Sequence, residues 1–149
     1  MHSRTNKGGF CLKLGILGGT GNMGRGLALR WALKHDVLLG SRSLDKACGV
    51  TREQESLARG FYQDEMQGSI NGALNCTAAQ ESNVIVVTLP PSGLVQTVTE
   101  VAKCLRRDQV VVSTVVSMSK NKGLFSSVPL PKQQIKNILE NQQRKSFKT

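Results

Sequence analysis

The densest chemical signal in the chain is Gly18-Gly19-Thr20-Gly21-Asn22-Met23-Gly24. Gly19, Gly21 and Gly24 satisfy G-x-G-x-x-G, and Gly18, Gly21 and Gly24 equally satisfy the looser G-x-x-G-x-x-G. Between a strand and a helix, such spacing has a physical purpose. One glycine permits a tight turn, one lets the backbone approach a pyrophosphate, and one lets the helix pack closely on the strand. The helix N-terminus then offers amide donors and a positive dipole to the phosphates. An apolar stretch over residues 12–17 precedes the loop, and small or apolar residues at three-to-four spacing follow it (Met23, Leu27, Ala28, Trp31, Ala32). The context is therefore strand, turn, amphipathic helix, and the expected ligand is a dinucleotide.

About 20 residues beyond the loop, NAD-binding proteins usually carry an acidic residue for the ribose 2′-hydroxyl. Here the second expected strand ends in Gly40-Ser41-Arg42. A carboxylate would repel a 2′-phosphate, whereas the Ser41 hydroxyl and the Arg42 guanidinium would bind one, with Lys46 as a second cation. NADP(H) is expected over NAD(H). Thr88-Leu89-Pro90-Pro91 follows the fourth strand, where loops commonly touch the cofactor, although a proline pair also serves as plain punctuation. No general acid–base pair stands out: His2 lies near the N-terminus, and His35 and Asp36 sit in a turn at the opposite edge of the sheet. No catalytic side chain is assigned, which suits hydride transfer, in which the cofactors carry the chemistry.

The elements that must position these residues alternate regularly. Strands are expected over 12–17, 37–40, 69–72, 83–89 and 110–114, and helices over 22–34, 44–59, 77–81 and 93–105, the last capped by Ser92. The β-branched run at 83–89 is of the kind buried on both faces of a parallel sheet. The fold class is α/β, a doubly wound parallel sheet. Residues 115–131 read as a long irregular excursion. Residues 132–145 read as a polar helix with a thin stripe of Ile135, Ile138 and Leu139, free to dock on the sheet or extend. The expected organisation is a flexible N-terminus (1–11), a Rossmann-type domain (12–131) and a basic helical tail (132–149).

Composition narrows the partners. Four scattered cysteines with no C-x-x-C pair are expected as free thiols, and their recurrent 28-residue spacing as chance. No metal site is expected. The net charge of +10 admits nucleic acid, but one Trp, one Tyr and four Phe give no basic run with interleaved aromatics for stacking bases. No apolar run is long enough to span a bilayer and no signal core follows the polar N-terminus, so a cytoplasmic location is expected.

The sequence resembles the NADPH-dependent reductases of the deazaflavin coenzyme F420. The resemblance is carried by Leu14-Gly15-Ile16-Leu17-Gly18-Gly19-Thr20-Gly21-Asn22-Met23-Gly24-Arg25-Gly26-Leu27-Ala28-Leu29-Arg30-Trp31-Ala32 and by Val37-Leu38-Leu39-Gly40-Ser41-Arg42 with Lys46. Gly68-Ser69-Ile70-Asn71-Gly72 and residues 83–90 and 110–120 follow in the family's order, so that it covers residues 12–131. It implies reversible hydride transfer between NADPH and coenzyme F420, two rings held to within about 3–3.5 Å of each other. It also places Thr20, Asn22 and Met23 on the pyrophosphate and Ser41, Arg42 and Lys46 on the 2′-phosphate. Leu89 and Pro90 would line the cofactor channel, with Val115 near the nicotinamide. The family's C-terminal helical domain, which closes the deazaflavin site and forms a dimer, is expected to be missing, the chain being read as a truncated gene product, a fragment or a divergent domain whose other half is a separate polypeptide. A homo-oligomer or a partner subunit is expected, and a non-catalytic NADP-binding module acting through a partner is the alternative reading.

Overall fold

The computed structural model describes residues 11–145 apart from 117, 128 and 130. The expected flexible N-terminus, except Cys11, lies outside the described residues, as does the chain after 145. Five strands, β1 (Lys13–Leu17), β2 (Asp36–Ser41), β3 (Ser69–Leu74), β4 (Val84–Val87) and β5 (Val110–Ser113), form a parallel sheet in the order β3-β2-β1-β4-β5. Four helices link them: α1 (Asn22–Trp31), α2 (Leu44–Tyr62), α3 (Asn75–Glu81) and α4 (Pro91–Ala102). The doubly wound parallel α/β class expected from the sequence is the class observed. All five strands end at the same edge, where chain order reverses between β1 and β4 and where such sheets bind ligands.

Alternation along the strands divides the interior into two cores. Leu14 and Ile16 of β1 join Val37 and Leu39 of β2, Ile70 of β3 and the inner residues of α1 and α2. Leu17 points the other way, with Ile85 and Val87 of β4, against Ala79 of α3 and Leu94, Val98 and Val101 of α4. Ile16, Leu39, Ile70 and Ile85 lose all contact with solvent, and each contributes on the order of 2 kcal/mol by that burial.

Three features differ from the sequence reading. Helix α4 begins at Pro91, with Pro90 as its N-cap and no side-chain cap bond, so Ser92 lies inside the first turn. Proline's fixed φ suits the first helical position, and it carries no amide needing a cap. The excursion after β5 contains a hairpin, β6 (Met118–Asn121) with β7 (Leu124–Ser127), turned by Lys122 (φ 46°) and Gly123 (φ 84°). Two consecutive positive φ values give the twist that closes a two-residue hairpin.

Cysteines 76 and 104 are not free: they are disulfide-bonded across a Cα–Cα distance of 5.7 Å, tying the start of α3 to the segment after α4. Their separation of 28 residues is the very spacing that the sequence offers as a coincidence. Neighbouring helices on one sheet face bring them together, which spacing alone does not reveal. Cys11 is exposed and Cys48 half-buried, both as free thiols. Of the two courses open to the polar helix, α5 (Lys132–Lys145) takes the docked one, with Ile135, Ile138 and Leu139 packed against the α4 core.

All four residues of β5 are exposed. Val111 and Ser113 border an apolar pocket shared with residues of α4 and α5. On the α1 side, Val112 borders an open groove of about 380 Å³ shared with Leu12, Leu14, Trp31, Val84 and Val86.

Candidate functional site

The glycine loop joins β1 to α1 at the strand-end edge. Gly18 has φ +71°, in the left-handed region, and a Cβ there would lie 2.6 Å from Leu89 Cδ2. Gly19 is buried; its amide donates to the carbonyls of Ile16 (3.2 Å) and Gly40 (2.9 Å), so the loop is bonded to the end of β2. A Cβ on Gly24 would fall 2.5 Å from Gly19 Cα, so helix and turn meet backbone to backbone. Gly21 differs: it is exposed, and a Cβ there would meet only the Gly18 carbonyl, at 3.6 Å. Both glycine spacings are thus in use. Gly18, Gly19 and Gly24 are required by packing, while Gly21 leaves open space above the helix start.

That start suits an anion. Gly21 is the N-cap of α1, no side chain caps it, and the first turn holds no acidic residue. Asn22 and Met23 are exposed and Thr20 is half-buried. Helix amides left without a cap, with the dipole behind them, are the donors a pyrophosphate requires. Arg25 braces the loop: its Nε donates to the Thr20 carbonyl at 3.2 Å and its guanidinium pairs with Glu53 of α2 at 3.2 Å.

The second turn is built at the end of β2. Ser41 is buried and its Oγ accepts from the Ser43 amide at 3.3 Å; Ser43 caps α2 by accepting from the Lys46 amide at 3.4 Å. These bonds fix the backbone and leave the Arg42 and Lys46 side chains exposed, with no ion pair among the described residues. The only acid in the first turn of α2 is Asp45. Ser41, Arg42 and Lys46 therefore surround one helix start, as the glycine loop surrounds another.

Beyond β4, the Thr88 amide and hydroxyl both donate to the Leu17 carbonyl at 3.0 Å, which places Leu89 against Gly18. Pro90 is exposed at the head of α4. Val115 is half-buried and packs on the α4 core, following β5 at the same edge. Just before it, the Thr114 hydroxyl reaches both the Val87 carbonyl and Met23 Sδ at 3.0 Å, tying the end of β5 to the first turn of α1. Two contributors escape the sequence reading, Thr114 and Asn75. Asn75 is buried at the head of α3, and its Oδ1 accepts from the Gly18 amide at 3.2 Å. His35 stays apart at the opposite edge, its Nδ1 accepting from the Leu12 amide at 3.3 Å. Among the described residues no cluster of His, Cys, Asp and Glu could hold a metal, and no helix is long and apolar enough to cross a membrane.

A five-stranded parallel sheet in this order, with a glycine turn between β1 and α1, defines a Rossmann-type domain. Its fold likeness extends to the lactate dehydrogenases of Cryptosporidium parvum (TM-score 0.59, 15% identity, covering 72% of this chain and 38% of that one) and Eimeria maxima (TM-score 0.57, 13% identity, 73% and 37%). Within that class the chain belongs to the family described as NADP oxidoreductase, coenzyme F420-dependent, whose model matches residues 13–117. It is 33% identical over 105 residues to the F420-dependent NADP reductase of Methanothermobacter marburgensis, covering 70% of this chain and 45% of that protein. To the enzyme of the same description from Methanocaldococcus jannaschii it is 32% identical over 108 residues, covering 72% and 47%. The chain thus spans just under half the length of these curated relatives.

Proposed function

We propose that this chain binds NADP(H) along the strand-end edge of the sheet and serves hydride transfer between NADPH and the deazaflavin coenzyme F420. The observation that carries the reading is the pair of exposed cations Arg42 and Lys46 at the end of β2, which make no ion pair among the described residues and stand where a carboxylate would select NAD. Their fit to a 2′-phosphate is chemical: a planar guanidinium and a mobile ammonium beside the N-terminus of α2. The glycine loop fits a pyrophosphate on separate grounds, the open space over Gly21 and the uncapped amides of α1.

When bound, NADPH supplies a hydride, which the deazaflavin takes up together with a proton. The protein's share is positioning. The amides at Asn22 and Met23 and the hydroxyl of Thr20 hold the pyrophosphate, Ser41, Arg42 and Lys46 hold the 2′-phosphate, and Leu89 and Pro90 form an apolar wall. Val115 would line the nicotinamide end of the channel and help exclude water there.

A non-catalytic module that binds NADP(H) and acts through a partner is the second reading, favoured by the exposed valines of β5 beside an open apolar groove. Calorimetric titration with NADPH and NADH, followed by a coenzyme F420 reduction assay on the same sample, separates the two. Preferential NADPH binding with turnover supports the oxidoreductase, and preferential binding without turnover supports the module. Equal affinity for both nucleotides would sink the 2′-phosphate assignment.

A further inference from the structure

We propose that Asn75 is a positioning residue for the cofactor turns, fixing the glycine loop to the end of β2 from beneath. Asn75 opens α3 on the face of the sheet opposite α1, and it is 7% exposed. Its Oδ1 accepts the Gly18 amide at 3.2 Å, at the point where the loop leaves β1 with a positive φ. The same oxygen packs against Gly40: a Cβ added there would lie 2.7 Å from it. Gly40 is the residue whose carbonyl accepts the Gly19 amide at 2.9 Å, and Ser41 and Arg42 follow it directly. One amide oxygen therefore touches both strand ends from which the two candidate phosphate turns depart.

The chemistry of the group suits this task. Gly18 turns its amide away from the β ladder, and an amide partly withdrawn from water needs an acceptor within the protein. A side-chain oxygen meets that need while leaving the Gly19 amide to bond across to β2. The bond thus selects one loop conformation in the free protein, which lowers the ordering cost of binding.

The inference rests on the NADP(H) reading for its affinity arm only. The first arm uses no ligand: amide hydrogen exchange of the whole chain, followed residue by residue by NMR. Asn75→Leu, near in size but without an acceptor, should speed exchange at Gly18 about tenfold while the β1 amides of Leu14 and Ile16 keep their protection. Asn75→Asp, which retains the acceptor, should restore protection at Gly18. If the leucine variant does not fold, Asn75→Ser, which withdraws the oxygen without adding bulk, carries the same measurement. Faster exchange spread evenly over α3 and β4, or unchanged exchange at Gly18, would overturn the proposal. In the second arm, NADPH affinity should fall about fivefold to tenfold in the leucine or serine variant, the effect of one lost hydrogen bond, and unchanged affinity would overturn the positioning role. A wild-type chain that binds no NADPH would overturn the cofactor reading instead, with the exchange result still deciding whether Asn75 holds the loop.

Discussion

Two runs of nearly the same residues meet opposite fates in this sheet. Ile85, Val86 and Val87 of β4 are buried, whereas Val110, Val111 and Val112 of β5 are 57%, 38% and 43% exposed. Both runs are β-branched, both are parallel strands, and they pair directly, Ile85 with Val111 and Val86 with Val112. What differs is the neighbourhood. β4 has β1 on one side and β5 on the other, while β5 has no strand beyond it among the described residues. The glycine-loop corner at β1 and β2 lies at the far extreme, where Gly24 meets Gly19 with no room for a methyl group. A valine run thus reports that a segment is a strand, and its place in the sheet order decides whether that strand is core.

The contrast between a crowded corner and an open edge is best tested by substitutions graded from one to the other. The largest effect is expected at the corner. Gly24→Val must part α1 from the turn and should cost about 3 kcal/mol or more in chemical denaturation, whereas Gly21→Val should leave the melting temperature nearly unchanged and abolish NADPH binding by calorimetry. Equal stability losses at the two glycines would remove the distinction between a packing and a ligand-facing position.

Next in size is the Cys76–Cys104 bridge, which closes a loop of 28 residues. Removing it by Cys104→Ser should cost about 3 kcal/mol in thermal or denaturant unfolding. Alkylation of the unreduced protein should label two of the four cysteines by intact mass. Four labels would show the bridge to be absent.

A smaller effect is expected at the end of β2. Arg42→Asp should weaken NADPH about 10- to 100-fold, the scale of a charge-assisted contact, and leave NADH affinity within a factor of about two. The least is expected at β5: Val112→Lys should shift unfolding by less than about 0.5 kcal/mol, within the range of ordinary surface changes. A severe loss there would mean that the open groove is covered in solution, and light scattering on the same sample would reveal the covering copy.

The parts of the molecule legible in the sequence are those whose signals are local. The glycine loop announces itself by spacing, and the strand at 84–87 by an unbroken apolar run. The cations at 42 and 46 stand out by their position after a strand. Asn75 gives no such signal, because its bond to Gly18 crosses 57 residues and depends on how α3 crosses the sheet. The Cys76–Cys104 bridge is hidden for the same reason. The β6–β7 hairpin fails differently: its strands are four residues each, polar and apolar without a clear period, and only Lys122-Gly123 marks the turn. Val111 reads as core by composition, and nothing local distinguishes it from Ile85.

The edge of β5, beyond which no strand lies among the described residues, also bears on the protein as a colloid. A short, valine-rich edge is a template on which another chain can extend the sheet. Against this the molecule carries a net charge of +10, and like-charged particles of that size hold one another at a distance in dilute buffer. Salt shortens the reach of that repulsion to about 8 Å at physiological ionic strength, while leaving the stickiness of the edge untouched. The balance between a dispersed and an associating solution is therefore set by ionic strength as well as by concentration.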